Sequence, residues 1–407
     1  MANSRVKIAA IGLGNRTCKY LRYIVEHQDI TELVAVVDTD SNQFNKVLQT
    51  FNLSADRCFS SIDDLADSEV QVDACIIGTP DIHHHEMAIK AMRCGWHVLL
   101  EKPMGQTFAQ CNEIVSVSDQ SQRLVSTCYV LRYHPYFVKL KELSGRHEMG
   151  RILHIKQIEK VGKDRLTHTF VRGPWNKTEM NTSVFFTKCC HDVDFALWIA
   201  GDDVVMSVES VAGTRMFECE DAPYDAAERC IECSREKHCP YSAVDLYLRR
   251  KDWIKGFSSL DNETEDETIT RMLKESRYGR CVYKCPENDV VERQTVRFAT
   301  LSGITSEITM ECNTHESARI TTIECENAVI YGDENTIEVK YNECVTQEKA
   351  ATETYDFSWA KSMKLHAGAD MLIVQEFIDA ILDGSLQTRT SCASSLTSHR
   401  ICFMAEN

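Results

Sequence analysis

The sequence predicts an α/β protein in which an N-terminal doubly wound parallel sheet precedes a C-terminal α/β region built on a large, open, mostly antiparallel sheet. Three observations carry that reading. Over roughly the first 125 residues, short β-rich runs alternate with helical ones. From "RILHIKQIEKVG" onward, strand-like runs follow one another with only turns between them. The length, 407 residues, exceeds what one hydrophobic core usually organises, so two domains are expected.

In order, "KIAAIGLG", "LVAVVD", "DACIIGTP" and "HVLLEKP" read as strands, separated by the helical runs "CKYLRYIVEHQ", "NQFNKVLQTF" and "HHEMAIKAMRCG". A βαβα series closes as a parallel sheet covered on both faces. In the second half "TVRFATLSGITSEITMEC", "ARITTIECENAVIYGD" and "TIEVKYNE" have no helix between them, which indicates antiparallel pairing. The boundary falls near "LVSTCYVLRYHPYF", giving domains 1–125 and 126–407, the second with a cysteine-rich insertion at about 217–290. "GFSSLDNETEDETITRM" is polar enough to read as a mobile loop.

A hydrophobic content of 43% suits a folded globular chain, and the formal charge of -16 argues against nucleic acid and anionic membrane surfaces as partners. No apolar run reaches signal-peptide or membrane-span length, so a cytoplasmic location is expected. The nineteen cysteines lie largely inside apparent strands and helices, as in "VDACIIG" and "AMRCGWH". They read as buried free thiols of a reducing compartment.

"AAIGLGNRT" ends a strand and opens a helix. Gly12 and Gly14 sit where the backbone turns tightly and a pyrophosphate can approach the helix N-terminus, with Asn15 and Arg16 beside it and Thr17 in place of a third glycine. "LVAVVD" ends in Asp38, whose carboxylate can accept both ribose hydroxyls of NAD and would repel the extra phosphate of NADP. After the third strand, Thr79 and His84 are candidates to line the dinucleotide. The neighbouring histidines cannot converge on one ion, since successive helical residues point about 100° apart. Glu101 and Lys102 leave a buried parallel strand at its carboxyl end, where ligands of open α/β sheets bind. A lysine there either holds a carboxylate or reaches a substrate hydroxyl.

If "TKCCHDVDFALWIAG" is a helix, Lys188, His191 and Asp192 share a face that Phe195 and Ile199 continue into the core. His191 is then a proton-transfer group, a core histidine or a metal ligand. Farther on, "ERCIECSREKHCPYSA" supplies Cys230, Cys233 and Cys239, and "GRCVYKCPEND" supplies Cys281 and Cys285. Three thiols with a distant fourth, either Cys281 or Cys285, suit a closed structural zinc site, with His238 as a substitute ligand. Scattered thiols or a disulfide, and an iron–sulfur cluster, are the other readings.

"AIGLGNR", "TPDIHH" and "EKPMG" in this order, followed by "LRYHPYF" and a histidine–aspartate segment, resemble the Gfo/Idh/MocA oxidoreductases over nearly the whole chain. The resemblance implies a Rossmann domain that binds NAD, joined to an α/β domain whose open sheet covers the nicotinamide and forms a sugar or cyclitol site. It implies that Lys102 is the catalytic-site lysine, Glu101 its cofactor-side neighbour, and His191 the family's histidine, with Asp194 matching the acid that follows. The chain departs from the pattern four residues before His191, where Thr187 replaces the family's Asp and Lys188 stands next to it. A lysine close to Lys102 would lower the pKa of both and could hold an alkoxide or a carboxylate.

Lys102, Lys188 and His191 are therefore the expected catalytic residues, and Arg132, His168, Arg172, Trp175 and Asp192 the expected substrate contacts. Trp175 would stack on a sugar ring or anchor its loop. The expected activity is NAD-dependent oxidation of a secondary hydroxyl of a sugar, glycoside or cyclitol by hydride transfer. An NAD-dependent glycoside hydrolase with recycled cofactor, and an inactive sugar- and NAD-binding regulator, are the alternatives. The open sheet face implies a homo-oligomer, dimer or tetramer.

Overall fold

Strands β1 (Val6–Ile11), β2 (Thr31–Val37), β3 (Cys58–Phe59), β4 (Ala74–Ile77), β5 (His97–Leu100) and β6 (Val125–Thr127) form one parallel sheet in the order β3-β2-β1-β4-β5-β6. Side chains along β1 alternate between its two covered faces. Ile8 and Ala10 pack with the helix Asn15–Glu26, and Ala9 and Ile11 with the helices His84–Arg93 and Phe108–Ser121. That double cover is why β4 and β5 are nearly continuous apolar runs. The strand order reverses between β1 and β4, which opens a crevice at their carboxyl ends.

The computed structural model describes residues 5–51, 53–178, 181–213, 215–254, 263–342 and 352–406. Its second sheet contains β7 (Ile152–Gly162), β8 (Val205–Ala212), β9 (Arg293–Thr300), β10 (Thr305–Thr314), β11 (Ala318–Cys325), β12 (Ala328–Gly332), β13 (Thr336–Tyr341) and β14 (Thr352–Asp356). The order is β14-β13-β12-β11-β7-β10-β9-β8, antiparallel except between β7 and β10.

One face of this sheet packs Ile155, Ile308, Met310 and Ile323 against Phe185, Phe186, Val193 and Phe195 of the helix Val184–Ile199. Ser183 caps that helix by accepting from the Phe186 amide at 3.0 Å. The helix is apolar nearly all round because the C-terminal helix Cys392–Glu406 lies on its other side. The chain also returns to the first sheet, where Ile373, Val374, Phe377 and Ile378 of the helix Ala369–Leu382 join the core with Tyr20 and Leu21.

Between β8 and β9 an insertion packs around its own small core of Val244, Leu246, Tyr247, Ile269 and Leu273. The stretch expected to be a mobile loop is corrected in part. Residues 255–262 lie outside the described residues, but Glu265–Glu275 is a helix. Thr264 and Glu267 form a reciprocal capping box, and Ile269 and Leu273 bury one side of the helix, so polarity alone misread it. All described cysteines are free thiols, and no described helix is long and apolar enough to cross a membrane.

Candidate active site

The glycine loop is shaped for a diphosphate. Gly12 has φ +77°, and a Cβ there would stand 2.8 Å from the Thr79 amide nitrogen, so only glycine fits. Thr17 replaces the third glycine because Gly78 leaves room for it: a Cβ on Gly78 would fall 2.3 Å from the Thr17 hydroxyl. Gly14 begins the helix Asn15–Glu26 with no side-chain cap and no acid in the first turn, so its leading amides are free to meet an anion. Asp38 closes β2, accepting the Leu13 amide at 2.7 Å and the Asp40 amide at 2.8 Å. The carboxylate keeps further acceptor capacity for ribose hydroxyls. A cradle that a Cβ would fill, an uncapped helix and a carboxylate at the strand end fit NAD.

Two residues expected to touch the dinucleotide have other partners. Arg16 turns away from the loop to Glu101, Nε to Oε1 at 2.7 Å, and to Asp370, Nη2 to Oδ1 at 2.8 Å. His84 is buried, and its ring nitrogens lie 2.6 Å from the Pro103 carbonyl and 2.9 Å from the Thr79 carbonyl. It ties the loop after β4 to the loop after β5 rather than lining a ligand.

Glu101 is buried with Arg16 and with the Tyr20 hydroxyl, which donates to it at 2.6 Å. Burial pushes its carboxyl up, but the charges of Arg16 and Lys102 together with these hydrogen bonds outweigh that and hold it below the usual range. Next to it, Lys102 Nζ crosses to the second half of the chain and donates to the Thr187 carbonyl at 2.7 Å. Lys102 is thus held by the backbone of the first turn of the helix Val184–Ile199.

One turn on, His191 packs edge-on to Tyr129, with ring centroids 5.5 Å apart, and its Nδ1 is buried without a hydrogen-bond partner. Burial, then the charges of Lys102 and Arg319, lower its pKa well below the ordinary value, so the ring is neutral and carries an unprotonated nitrogen, as a weaker base than a free imidazole. Lys188 does not act as a second free amine beside Lys102. It pairs with Glu159 of β7, Nζ to Oε1 at 2.7 Å, and burial lowers its proton affinity against the pull of Glu159. Arg319 of β11 binds Glu159 at 3.1 Å and Asp192 at 2.8 Å.

Several expected substrate contacts are held by partners within the protein. Asp192 is fully buried, held by Arg319 and by the Gln157 amide at 3.0 Å. Arg132 is buried in a two-pronged pair with Asp194, at 2.8 and 2.9 Å. Arg172 is buried among backbone carbonyls of the insertion. Trp175 packs on the second core, which makes it a loop anchor. His168 meets Tyr247 at 3.0 Å and stacks on Tyr278 with centroids 5.1 Å apart, and burial lowers its pKa to about 4. Among the described residues no group of three or more His, Cys, Asp or Glu side chains is placed to hold a metal ion, so the closed zinc site expected from the cysteine spacing is not supported.

Local spacing missed four residues: Glu159, Arg319, His366 and Asp370. His366 Nδ1 lies 2.9 Å from Asp370 Oδ2, and burial opposed by His366 and Arg16 leaves the Asp370 carboxyl at about 2. Leu365, His366 and Ala367 all adopt positive φ, at +61°, +48° and +53°. Such a conformation is sparsely populated for these residue types and clusters at functional sites. The only sequence signal was the short "HAGAD", in which Gly368 continues the left-handed run.

Comparison with known proteins agrees with the fold and with a dinucleotide-binding first sheet. Residues 6–129 match the model of an oxidoreductase family with an NAD-binding Rossmann fold. The chain is 25% identical over 205 residues to inositol 2-dehydrogenase 2 of Saccharopolyspora erythraea, covering 49% of this chain and 55% of that one. It therefore spans about half the length of the curated relatives it matches. Two solved structures share the fold over nearly the whole length. An oxidoreductase from Agrobacterium radiobacter in complex with NAD+, L-tartaric acid and magnesium superposes with a TM-score of 0.70 at 14% identity, covering 99% of this chain and 96% of that one. The myo-inositol 2-dehydrogenase of Lactobacillus plantarum gives 0.67 at 15% identity, with 99% and 96% covered.

Proposed function

We propose, from the match of residues 6–129 to the Gfo/Idh/MocA oxidoreductase family model, that the chain is an NAD-dependent oxidoreductase acting on a secondary hydroxyl of a sugar, glycoside or cyclitol. The observation that carries the reading is the approach of Lys102 to the helix that bears His191. Lys102 Nζ reaches the Thr187 carbonyl at 2.7 Å, and the neutral His191 ring stands one turn farther along. A proton donor just after β5 and a proton acceptor on the helix it contacts are thus brought within one helical turn of each other.

Gly12, Gly14, the open helix N-terminus and Asp38 would hold the dinucleotide, with NAD favoured over NADP by the Asp38 charge. Bound there, NAD would supply the hydride acceptor. A substrate hydroxyl between Lys102 and His191 loses its proton to His191, while the Lys102 ammonium donates to the oxygen as negative charge develops on it. Glu159 and Arg319 fix Lys188 and Asp192 behind this pair and keep the helix face in register. Residues 1–125 serve the cofactor and 126–407 bring the substrate, in a homo-oligomer located in the cytoplasm. The names of the inositol dehydrogenase relatives support the cyclitol class.

The test is incubation of the purified protein with NAD and a panel of cyclitols, aldoses and glycosides. Net NADH formation with at least one polyol is expected. Glycoside cleavage without net NADH would assign the redox-assisted hydrolase instead. NAD binding with neither reaction would overturn the enzyme reading.

A further inference from the structure

We propose, resting on the oxidoreductase reading, that Arg165 and Lys19 form an anion subsite in the crevice, so that the substrate carries a carboxylate or a phosphate group besides its reacting hydroxyl. Arg165 ends the helical turn Lys163–Arg165 that directly follows β7. Among the described residues neither its guanidinium nor the Lys19 ammonium has a hydrogen-bond or ion-pair partner. The carboxylates around them are already claimed. Arg16 takes Glu101 at 2.7 Å and Asp370 at 2.8 Å. Lys188 and Arg319 share Glu159, at 2.7 and 3.1 Å, and Arg319 also holds Asp192 at 2.8 Å. Asp164, next to Arg165 in the chain, is held by Lys163 and Arg250, both at 2.8 Å. In a chain of formal charge -16, two neighbouring cations left without a carboxylate leave room for an anion from outside.

Both cations belong to the crevice. Lys19 lies about one turn beyond Arg16 on the helix Asn15–Glu26, which starts at the glycine loop. Arg165 comes from the second half of the chain, yet its charge acts on Lys19 as well as on Lys188 and Glu159. It therefore stands between the two halves, on the side of the helix that carries Lys188 and His191. Arg165 is exposed to solvent, while burial, opposed by Glu159 and reinforced by Arg319 and Arg16, lowers its pKa. A group open to water but walled by protein lines a crevice rather than a convex surface. Lys19 is lowered in the same way, by burial and then by Arg16, with Asp370 pulling against the fall and Arg165 adding to it. An anion between the two would relieve both.

The insertion between β8 and β9 positions the guanidinium. Arg250 anchors the preceding Asp164 at 2.8 Å, and the Trp253 ring lies beside the Arg165 guanidinium, 5.8 Å from its central carbon to the ring centroid. Trp253 in turn packs against His168, with centroids 5.0 Å apart. A planar guanidinium held at an aromatic ring keeps its N–H edge free, and that edge matches two oxygens of a carboxylate or a phosphate. The phosphates of the dinucleotide would sit at Gly12, Gly14 and the leading amides of the helix, whereas Lys19 lies a full turn farther along it. The anion at Arg165 and Lys19 is therefore one that the substrate brings.

The experiment titrates the NAD-loaded full chain by calorimetry with two matched pairs, glucose against glucuronate and myo-inositol against its monophosphate. The charged member of at least one pair should bind about 10- to 100-fold tighter, the range for hydrogen bonds to a charged group, and should lose affinity as salt is raised. Whichever pair discriminates tells carboxylate from phosphate. Arg165→Gln should remove the preference and Lys19→Gln should reduce it. Tm should hardly change in either variant, because neither side chain has an ion-pair partner to lose. Equal affinities within both pairs, no binding of either charged probe, or a preference that survives in Arg165→Gln would overturn the proposal. So would a loss of NAD affinity in Arg165→Gln as large as the loss for the charged probe, which would assign the cations to the cofactor. NADH is followed in the same samples: an anion preference lost in Arg165→Gln, with no NADH from these probes or from the wider polyol panel, would uphold the subsite and count against the oxidoreductase reading alone.

Discussion

Lys188 and Glu159 form a largely buried ion pair, Nζ to Oε1 at 2.7 Å, beside Thr187, whose carbonyl accepts from Lys102. The Glu159 charge on β7 neutralises Lys188 and is shared with Arg319. Lys188→Ala should therefore reduce kcat less than Lys102→Ala does. Glu159→Gln should be the more damaging change of the pair, since it leaves the buried Lys188 without an anion and Arg319 with Asp192 and Glu334 only, a loss of about 3–5 kcal/mol in stability. Urea unfolding of both variants checks this, and equal midpoints would contradict it.

Lys102→Ala should lower kcat by about 10²- to 10⁴-fold, the range for a positioned proton-transfer group. Its bond to the Thr187 carbonyl does not involve the glycine loop, so NAD affinity should hold. Single-turnover kinetics and calorimetric NAD titration separate the two effects. Unchanged turnover would remove Lys102 from the reaction.

Asp38 holds the glycine loop through the Leu13 amide and is the residue proposed to favour NAD. Asp38→Asn keeps an oxygen acceptor for that amide and removes the charge that repels a 2'-phosphate. The expected outcome is a smaller preference for NAD with the fold intact, read as the ratio of the NAD and NADP dissociation constants. A ratio equal to that of the unmodified protein would show that the preference lies elsewhere.

Arg132 and Asp194 are 3% and 1% exposed and meet in a two-pronged pair. Asp194→Asn leaves the guanidinium buried with a neutral partner and its other carboxylate contact, Asp202, half exposed. A loss of about 3–5 kcal/mol is expected, seen as a lower Tm with no change in KM for the surviving activity. A large change in KM at constant Tm would return Arg132 to the substrate site.

His399 is fully buried, and burial pushes its pKa down to about 4. Its Nε2 accepts the Met104 amide at 3.0 Å, while Nδ1 faces the Ser395 carbonyl at 2.8 Å, an arrangement that needs the neutral ring. The unfolded chain takes up the proton first, near the ordinary value of about 6.5. Stability is thus complete above that value and falls as pH drops towards 4, by about 1.4 kcal/mol per pH unit for this group. Denaturant unfolding at pH 7.5 and 5.5 should show the decrease, and His399→Gln should lessen it by one group's share, with His134, His168 and His191 accounting for the rest.

The sequence by itself determined what depends on neighbours along the chain. Alternation of strands and helices over the first half specified a parallel sheet, and the glycines before Asn15 specified the turn into a helix. The spacing of Lys188, His191 and Asp192 specified a shared helical face. Only the tertiary structure decided what each polar group faces. Arg132, Arg172 and Asp192 are the residue types a sugar site uses, yet each finds a buried partner distant in sequence: Asp194, the carbonyls of Tyr241 and Arg280, and Arg319. Glu159 and His366 reach the site from segments that carry no motif. Strand and helix periods are short-range backbone properties, whereas the partner of a charge is set by which elements the hydrophobic cores bring together.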